Sequence, residues 1–250
     1  MASWGLITGA SAGIGKELAR VIAANGFNLV LVARNESRLH QLAEELRTQH
    51  KIEAIVLAKD LAAPSAAAEI FSAVGSQAIS VLVNNAGFGS HGDFAHTDLK
   101  VQTEMMQVNM LALVQLTRLF LDPMLARRSG RILNVASTAA FQPGPTVSIY
   151  YASKAFVYSF SYALAAELDG SGITVTALCP GMTRTEFFER AKIRPRSWAM
   201  MDPVRVAELG YRGLMKGRRV VIPGLLNKIT SFMAKRLPPR LTTAVVRRIH

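Results

Sequence analysis

Short apolar runs alternate with amphipathic and charged segments along most of the chain. Seven runs rich in β-branched residues predict strands, at "WGLIT" (4–8), "FNLVLVA" (27–33), "IEAIVLA" (52–58), "ISVLVNN" (79–85), "GRILNVAS" (130–137), "GITVTALCPG" (172–181) and "RRVVIPG" (218–224). Continuous apolar runs separated by helical segments are typical of a parallel sheet buried on both faces. Because crossovers between parallel strands are almost always right-handed, the pattern predicts a doubly wound α/β fold.

The segments between these runs predict helices and loops. Apolar residues recur at helical spacing over 14–24, 36–49, 64–74, 98–126 (one helix or two) and 150–168. Residues 182–202 have weak periodicity, several arginines and Pro195, which predicts a mobile loop or short helices. No linker-like shift in composition and no repeat is present. We therefore predict one domain over 1–224, followed by a C-terminal extension over 225–250.

The net charge of +12 is concentrated near the end of the chain. Residues 201–250 hold eleven Lys or Arg and two acidic residues, and the preceding part is close to neutral. A basic segment on a near-neutral body suggests contact with anionic lipid, nucleic acid or an acidic substrate, or plain solvation. Aromatic residues are not interleaved with the basic ones and no nucleic-acid motif is present, so we expect no nucleic-acid partner.

Cysteine and histidine usage limits the metal and redox chemistry. The sequence has a single cysteine, Cys179, which excludes an internal disulfide and fits a reducing compartment. The histidines, at positions 40, 50, 91, 96 and 250, show no ligand spacing, so we predict no metal site. The first residues lack the basic start of a secretory signal, and no run reaches the roughly 18 apolar residues of a spanning helix. We expect a cytoplasmic protein.

A glycine-rich turn follows the first predicted strand directly. In "LITGASAGIG", Gly9, Gly13 and Gly15 have the spacing G-x-x-x-G-x-G, with Ser11 and Ile14 between them. Glycines allow a tight turn and a close approach of the backbone to a pyrophosphate, and the N-terminus of the next helix supplies unpaired N–H groups. Lys16 is followed by glutamate rather than by Ser or Thr, which argues against a nucleoside-triphosphate loop. The turn predicts a dinucleotide site.

The end of the second strand distinguishes between the two nicotinamide dinucleotides. An acidic residue there would bind the ribose diol, whereas an arginine accommodates a 2′-phosphate. The strand ends in "LVARNES", with Arg34 at this position and no carboxylate before Glu36. Arginine pairs with phosphate in a bidentate way, so the cofactor predicted is NADP(H).

Several short patterns occur together in one order along the chain. "TGASAGIG", Asp60, "NNAG" at 84–87, Asn109, Ser137, "YYASK" and "PGMTRT" at 180–185 resemble the short-chain dehydrogenase/reductase family over roughly residues 3–223. The resemblance implies a Rossmann-like, seven-stranded parallel sheet. It also implies hydride transfer between a nicotinamide cofactor and a carbonyl or secondary alcohol.

The resemblance assigns cofactor contacts by position. It implies that Asp60 accepts a hydrogen bond from the adenine amino group and that Asn85, Ala86 and Gly87 border the adenine ribose. It implies that Thr185 holds the cofactor near its phosphates or carboxamide. The segment that would contribute with it comprises Pro180, Gly181 and Thr183.

"SIYYASK", at 148–154, carries the candidate catalytic pair. Tyr150 lies four residues and Tyr151 three residues before Lys154, so helical spacing alone brings both near the lysine, with a slight preference for Tyr150. A lysine ammonium lowers the pKa of a nearby phenol from about 10 by favouring the phenolate. The family pattern Y-x-x-x-K implies that Tyr150 is the general acid/base. We expect Tyr151 to pack on the core or on a neighbouring subunit.

The resemblance also supplies the partners of this pair. It implies that Lys154 binds the nicotinamide ribose, that Ser137 stabilises the substrate oxygen, and that Asn109 holds a water in a proton relay to Lys154. A buried asparagine must be hydrogen-bonded, so a purely local role in a helix kink is the alternative for Asn109. A non-catalytic nucleotide-sensing protein on the same fold is the alternative function, although a sensor has no need of these four side chains together.

The sequence is compatible with more than one interpretation of the substrate and of the C-terminal extension. Apolar side chains in loops after the strands suggest a hydrophobic substrate, such as an acyl chain or a steroid, or else packing of a lid: Phe88, Phe141, Phe187, Phe188, Trp198, Met200 and Met201. Four arginines could instead meet an acidic group: Arg184, Arg190, Arg194 and Arg196. The basic amphipathic extension could lie on an anionic membrane, but packing on the protein or on a partner subunit is favoured. Family resemblance implies a homo-oligomer formed through the middle helices.

Overall fold

The structure is a computed structural model that describes residues 3–191 and 200–247, and it describes residue 190 by its backbone alone. Five of the residues considered above lie outside the described part of the chain: Arg194, Pro195, Arg196, Trp198 and His250. The described strands are β1 (Trp4–Thr8), β2 (Asn28–Ala33), β3 (Ala54–Ala58), β4 (Ile79–Asn84), β5 (Gly130–Val135), β6 (Ile173–Leu178) and β7 (Val220–Val221).

These strands form one parallel sheet in the order β3-β2-β1-β4-β5-β6-β7. The described helices are α1 (Gly13–Ala24), α2 (Glu36–His50), α3 (Ala66–Val74), α4 (Leu99–Met106), α5 (Ala112–Ala126), α6 (Ser148–Glu167), α7 (Phe187–Arg190), α8 (Pro203–Met215), α9 (Leu225–Ala234) and α10 (Pro239–Arg247). The predicted doubly wound, seven-stranded α/β fold is confirmed.

The two faces of the sheet are covered by different sets of helices. Residues of α1, α2 and α8 form one buried apolar cluster with the strands, and residues of α3, α5 and α6 form another. Side chains on both faces are almost fully buried, for example Leu31 and Val32 on β2. This double burial explains why the strands are continuous apolar runs rather than alternating ones.

The segment predicted as one or two helices over 98–126 is interrupted in the middle. A π-helical turn at Gln107–Leu111 separates α4 from α5 and contains the buried Asn109. A π turn inserts an extra residue and is frequently found at functional sites. The other predicted helices agree closely with the structure. Of the predicted strands, β7 is only two residues long, and the predicted loop at 182–202 contains the short helix α7.

The continuous helical stretch Leu99–Ala126 has the length and the mean hydropathy, 1.2, of a membrane span, although no single apolar run in the sequence suggested it. The core helix of a folded domain passes the same test. Here Leu116, Phe120 and Met124 of α5 are buried in the cluster that covers one face of the sheet.

The crossovers to β2 and β3 run in one direction along the sheet, and the next crossover returns past β1 to β4, so the strand order reverses between β1 and β4. In doubly wound sheets the carboxyl ends of the strands open into a crevice at this point, and ligands bind there. The glycine turn after β1, the segment after β4 and the segment after β5 all end at this edge. The fold therefore brings the sequence motifs together along one side of the sheet.

Candidate active site

A cavity of about 920 Å³ runs along the carboxyl edge of the sheet. Every catalytic or cofactor-binding residue predicted from the sequence lines this cavity except Gly15 and Asn109, which are buried beside it. The glycine turn and Arg34 border one part of the cavity, and Ser137, Tyr150 and Lys154 border another.

The glycine turn is held by the side chain of Asn85. Asn85 Nδ2 donates to the carbonyl oxygens of Thr8 (2.9 Å) and Gly9 (3.3 Å). A Cβ at Gly15 would lie 2.3 Å from both Asn85 Nδ2 and the Gly9 carbonyl oxygen, so only glycine fits there. The Asn85 amide is therefore a support of the turn, as well as part of the cavity wall implied by the resemblance.

Thr8, which sequence reasoning missed, completes this support. Its hydroxyl donates to the Val83 carbonyl (3.3 Å) and accepts from the backbone N–H groups of Asn85 and Ala86, both at 3.0 Å. The side chain thus joins the ends of β1 and β4 at the strand reversal. Its position as the last residue of the first strand was the signal available in the sequence.

The start of α1 is open toward the cavity. Ala12 precedes the helix and has no side chain that could cap it, while Gly13 and Ile14 line the cavity. The first N–H groups of a helix lack intrahelical partners and carry a partial positive charge, which suits a phosphate. A Cβ at Gly13 would lie 3.0 Å from Thr185 Cγ2. Glycine at this position therefore avoids a close contact with the loop that follows β6.

Arg34 extends from the end of β2 into solvent, with 70% of its side chain exposed. Its nearest recorded carboxylate is Asp60, at 3.9 Å from Nη1 to Oδ2, and Asp60 also accepts from the Ala62 N–H (3.0 Å). Ion pairs this long and this exposed contribute little. One turn into α2, Arg38 Nη1 binds both oxygens of Glu186, at 2.8 and 3.0 Å, and so connects α2 to the loop after β6.

Tyr150 and Lys154 lie on one face of α6, directed at the end of β5. Lys154 is only 5% exposed, and its Nζ donates to the Val135 carbonyl (2.8 Å) and lies 5.8 Å from the centroid of the Tyr150 ring. The Tyr150 hydroxyl lies within hydrogen-bonding reach of Ser137, whose Oγ donates to the Pro180 carbonyl (3.4 Å). Ser137 Oγ also accepts from the Ala139 N–H (3.1 Å) and begins the 3₁₀ turn Thr138–Phe141.

Burial controls the protonation of this pair. It raises the pKa of Tyr150 to about 12, and the hydrogen bond from Ser137 opposes the shift only in part. It lowers the pKa of Lys154 to about 8. The lowered Tyr150 pKa expected from the sequence is not found, because desolvation of the phenolate dominates and the Lys154 ammonium is directed at Val135.

The carboxamide of Asn109 binds both backbone groups of Phe88 and reaches α6. Its Oδ1 accepts from the Phe88 N–H (3.1 Å), and its Nδ2 donates to the Phe88 carbonyl and to Ser153 Oγ, both at 3.0 Å. A Cβ at Gly87 would lie 3.1 Å from Asn109 Oδ1 and 3.3 Å from Lys154 Nζ. Because Gly87 has no side chain, Asn109 Oδ1 and Lys154 Nζ can both lie next to it, as the predicted relay requires. Ser153 was not singled out from the sequence.

Tyr151 lies on the other side of Tyr150, with their ring centroids 6.1 Å apart. It lines the cavity too, and its ring packs on the backbone of Gly144, where a Cβ would come within 2.4 Å of the ring. Burial raises its pKa to about 12. The contact with Gly144 agrees with the packing role predicted for Tyr151. Tyr150, and not Tyr151, lies beside Ser137 and Lys154.

Only some of the apolar residues proposed for substrate contact lie at the cavity. Phe88, Phe187 and Phe188 line it, whereas Phe141 packs edge-on against Tyr158 outside it. Neither Met200 nor Met201 is among the described lining residues, and Arg184 is exposed and does not line it either. The side chain of Arg190 is outside the described part of the chain.

The C-terminal extension contributes a wall that sequence reasoning did not assign. Leu226, Asn227 and Thr230 of α9 and Val246 of α10 line the cavity. A Cβ at Gly181 would lie 2.3 Å from Asn227 Oδ1, so α9 packs directly on the loop after β6. The extension therefore folds back over the site, which was one of the alternatives left open by the sequence.

The arrangement can be compared with that of known proteins. The sequence model for short chain dehydrogenases matches residues 4–195. A very-long-chain 3-oxoacyl-CoA reductase of Aspergillus fumigatus is 36% identical over 206 residues, which are 80% of this chain and 59% of that protein. The very-long-chain 3-oxoacyl-CoA reductase-B of Danio rerio is 31% identical, covering 98% of this chain and 79% of that protein. The chain thus spans less than two thirds of the length of the fungal relative.

A solved structure resembles the whole described fold. A short-chain dehydrogenase from Sphingobium yanoikuyae, in complex with NADPH, is 33% identical, covers 94% of each chain and gives a TM-score of 0.86. The family match includes the glycine turn, Ser137, Tyr150 and Lys154, which converge on one cavity here. The chain belongs to the short-chain dehydrogenase/reductase family.

Proposed function

We propose that this chain is an NADP(H)-dependent oxidoreductase that acts on a hydrophobic, acyl-type carbonyl or secondary alcohol. The observation that carries the proposal is the convergence of Tyr150, Ser137 and the buried Lys154 in one cavity with the glycine turn. A non-catalytic nucleotide sensor, the alternative, would need the turn but not a buried ammonium beside a phenol.

The residues present fit a dinucleotide phosphate. The uncapped start of α1 suits the pyrophosphate, and Arg34 offers an exposed guanidinium at the adenosine end. The NADPH complex of the Sphingobium yanoikuyae relative supports the same cofactor. When bound, NADP(H) supplies or accepts the hydride.

The chain's own residues would manage the proton and the developing charge. At neutral pH the raised pKa keeps the Tyr150 hydroxyl protonated, so it can donate to a carbonyl oxygen as negative charge grows there. Ser137 Oγ, already in contact with that hydroxyl, can donate to the same oxygen. The Lys154 ammonium would stabilise the phenolate that remains, and Asn109, whose Oδ1 lies beside Gly87 together with Lys154 Nζ, would serve the relay that returns the proton.

The cavity supports a hydrophobic substrate. Phe88, Phe187 and Phe188 face it from the loops, and Leu226 faces it from the extension. Two relatives are named very-long-chain 3-oxoacyl-CoA reductases, and a 3-oxoacyl thioester is an acyl-type ketone of this kind. We therefore propose a long-chain 3-oxoacyl ketone as the substrate class.

We propose that the chain forms a homo-oligomer and lies in the cytoplasm. Exposed apolar side chains on the middle helices, including Leu111, Phe156 and Tyr162, support a homo-oligomer. The free, buried thiol of Cys179 agrees with the cytoplasmic location predicted from the sequence.

Replacing Tyr150 tests the reaction directly. Tyr150→Phe removes the proton donor but keeps the ring, so turnover of a ketone with NADPH should fall by about 10²–10⁴-fold, while the Kd for NADPH changes little. Tyr151→Phe is the matched control and should keep most activity. Both are measured by nicotinamide absorbance and by titration of NADPH. Loss of activity in the Tyr151 variant alone would overturn the assignment, and no turnover by the wild type on any ketone of a broad panel would favour the sensor.

Lys154→Met should abolish turnover and yet stabilise the fold. With a folded pKa of about 8 against an ordinary value of 10.5, the ammonium is fully present, and its burial fully unfavourable, below pH 8. This cost is on the order of 3 kcal/mol. Between these pKa values the unfolded chain holds more protons, so wild-type stability rises with pH and the advantage of the variant shrinks.

Thermal unfolding of both proteins measures this effect. At neutral pH the variant should unfold roughly 6–12 °C higher, and the gap should narrow as the pH approaches about 10. A variant that unfolds at lower temperature than the wild type at neutral pH would show that the hydrogen bond to Val135 outweighs the cost of burial.

Arg34 should determine the choice of cofactor. Arg34→Asp removes the phosphate partner and supplies a carboxylate for the ribose diol, so the kcat/KM ratio of NADPH to NADH should fall by about 100-fold or more. Arg118→Asp makes the same change of charge at an exposed position on α5 and should leave the ratio unchanged. An unchanged ratio in the Arg34 variant, or a wild type that prefers NADH, would contradict the NADP(H) proposal.

A further inference from the structure

The extension packs on the protein through a polar face. On α9, Ser231 is 2% exposed, and Asn227 Nδ2 donates to the Pro223 carbonyl (2.8 Å) beside Gly181. On α10, Thr242 is buried together with Val246. The residues that a helix usually exposes are here directed inward.

A cation fixes the end of α9 on the domain. Lys235 Nζ lies 4.2 Å from the centroid of the Phe141 ring and 4.8 Å from that of Tyr158, and it donates to the Tyr158 hydroxyl (3.1 Å). Cation–π contacts of this kind are specific in geometry. The anchor holds the orientation of α9 about its axis.

The opposite face of the extension is apolar and faces solvent. Each of six side chains there is at least 50% exposed: Leu225, Ile229, Phe232, Met233, Leu241 and Val245. Scattered apolar residues on a surface are normal, but the four on α9 share one face of that helix by their spacing, and a contiguous set of this kind marks an interaction site. We call this set, together with the exposed Leu226, the apolar face of the extension.

Exposed cations surround the apolar face. Lys228, Arg236, Arg240 and Arg247 are all exposed, and residues 225–250 include no Asp or Glu. None of the four forms an ion pair with a carboxylate in the part of the chain that the structure describes. The Arg236 guanidinium lies 4.2 Å from the centroid of the Phe232 ring, so it covers apolar surface while its charge stays in water.

We propose that the apolar face lies on an anionic membrane surface, with Phe232 and Met233 among the acyl chains and the cations among the headgroups. An apolar helix face with a basic rim is the pattern of interfacial helices. A second copy of the chain would set the same cations against each other, whereas anionic lipid complements them. This inference rests on burial and charge, and not on the proposed reaction.

Membrane contact would place the cavity next to the lipid. Leu226 belongs to the apolar face and also lines the cavity, so the cavity opens at the same helix. If the proposed function holds, a long-chain ketone dissolved in the bilayer would reach the site without crossing water. That consequence is separate from the binding itself.

Vesicle flotation of the full chain tests the binding. The wild type should float with phosphatidylcholine vesicles that contain phosphatidylserine, less with phosphatidylcholine alone, and less at high salt. Phe232→Ser with Met233→Ser should weaken the partition by at least about tenfold. Phe94→Ser with Leu99→Ser removes two apolar side chains elsewhere that are even more exposed, and this variant should float like the wild type.

A charge variant separates the two contributions. Arg240→Gln should lower partition to the anionic vesicles about fivefold and leave the neutral ones unaffected, while Arg118→Gln, on α5, should change neither. All variants are compared by thermal unfolding to confirm folding. Absence of wild-type flotation, or equal flotation of the Phe232/Met233 variant, overturns the proposal. So does a wild-type dimer that the same double variant splits, because a second copy then covers the face.

An activity measurement keeps the two proposals apart. With vesicles present, the double variant should lose kcat/KM about tenfold for a bilayer-dissolved ketone and keep it for a water-soluble one. Flotation without turnover of either ketone would reject the reductase function alone. Turnover of both without flotation would reject the membrane contact alone.

Discussion

Lys154 brings a positive charge into a part of the molecule that water hardly reaches, and much of the site is built around it. A buried charge is costly unless it is paired, and among the described residues its recorded hydrogen-bond acceptor is the Val135 carbonyl. That contact ties α6 to the end of β5. Since Tyr150 lies one helical turn before the lysine, the same contact sets the position of the phenol opposite Ser137. The orientation of the catalytic pair thus follows from how one ammonium is accommodated.

The π turn at Gln107–Leu111 is a second element arranged about this point. A π turn is frequently found at a functional site, and here it contains Asn109, whose carboxamide bonds to Phe88 and Ser153. Through Phe88 it fixes the segment after β4, and through Ser153 it fixes α6 next to Lys154. Asn85 does the same for the glycine turn. The carboxamides of Asn85 and Asn109 both bind backbone groups, and in this way they position two segments that line the cavity.

Sequence reasoning was most successful where one physical rule acts alone. Apolar runs predict the strands because both faces of a parallel sheet are buried, and helical spacing in "SIYYASK" brings both Tyr150 and Tyr151 near Lys154. The choice of Tyr150 as the acid/base came from the family resemblance and not from the spacing. Sequence reasoning was wrong on the Tyr150 pKa, since a pKa reflects the balance of desolvation and nearby charge, and burial depends on the whole fold. Asn85 was assigned only to the cavity wall, because its place at the end of a strand does not show that its amide donates to the carbonyls of the glycine turn. Phe141 was assigned to substrate because nothing in its local sequence points to Lys235, 94 residues further on.

The extension shows why amphipathic spacing alone could not decide between packing and exposure. Spacing shows that apolar residues share a face of α9 but not which way that face is turned. A helix free to rotate about its axis would bury Phe232 and expose Ser231, whose buried hydroxyl has no hydrogen-bond partner among the described residues. Asn227 against Gly181 at one end and Lys235 between Phe141 and Tyr158 at the other prevent that rotation. The extension therefore buries a hydroxyl that has no hydrogen-bond partner among the described residues and exposes apolar side chains. Both costs are offset if the apolar face lies on a membrane, as proposed above.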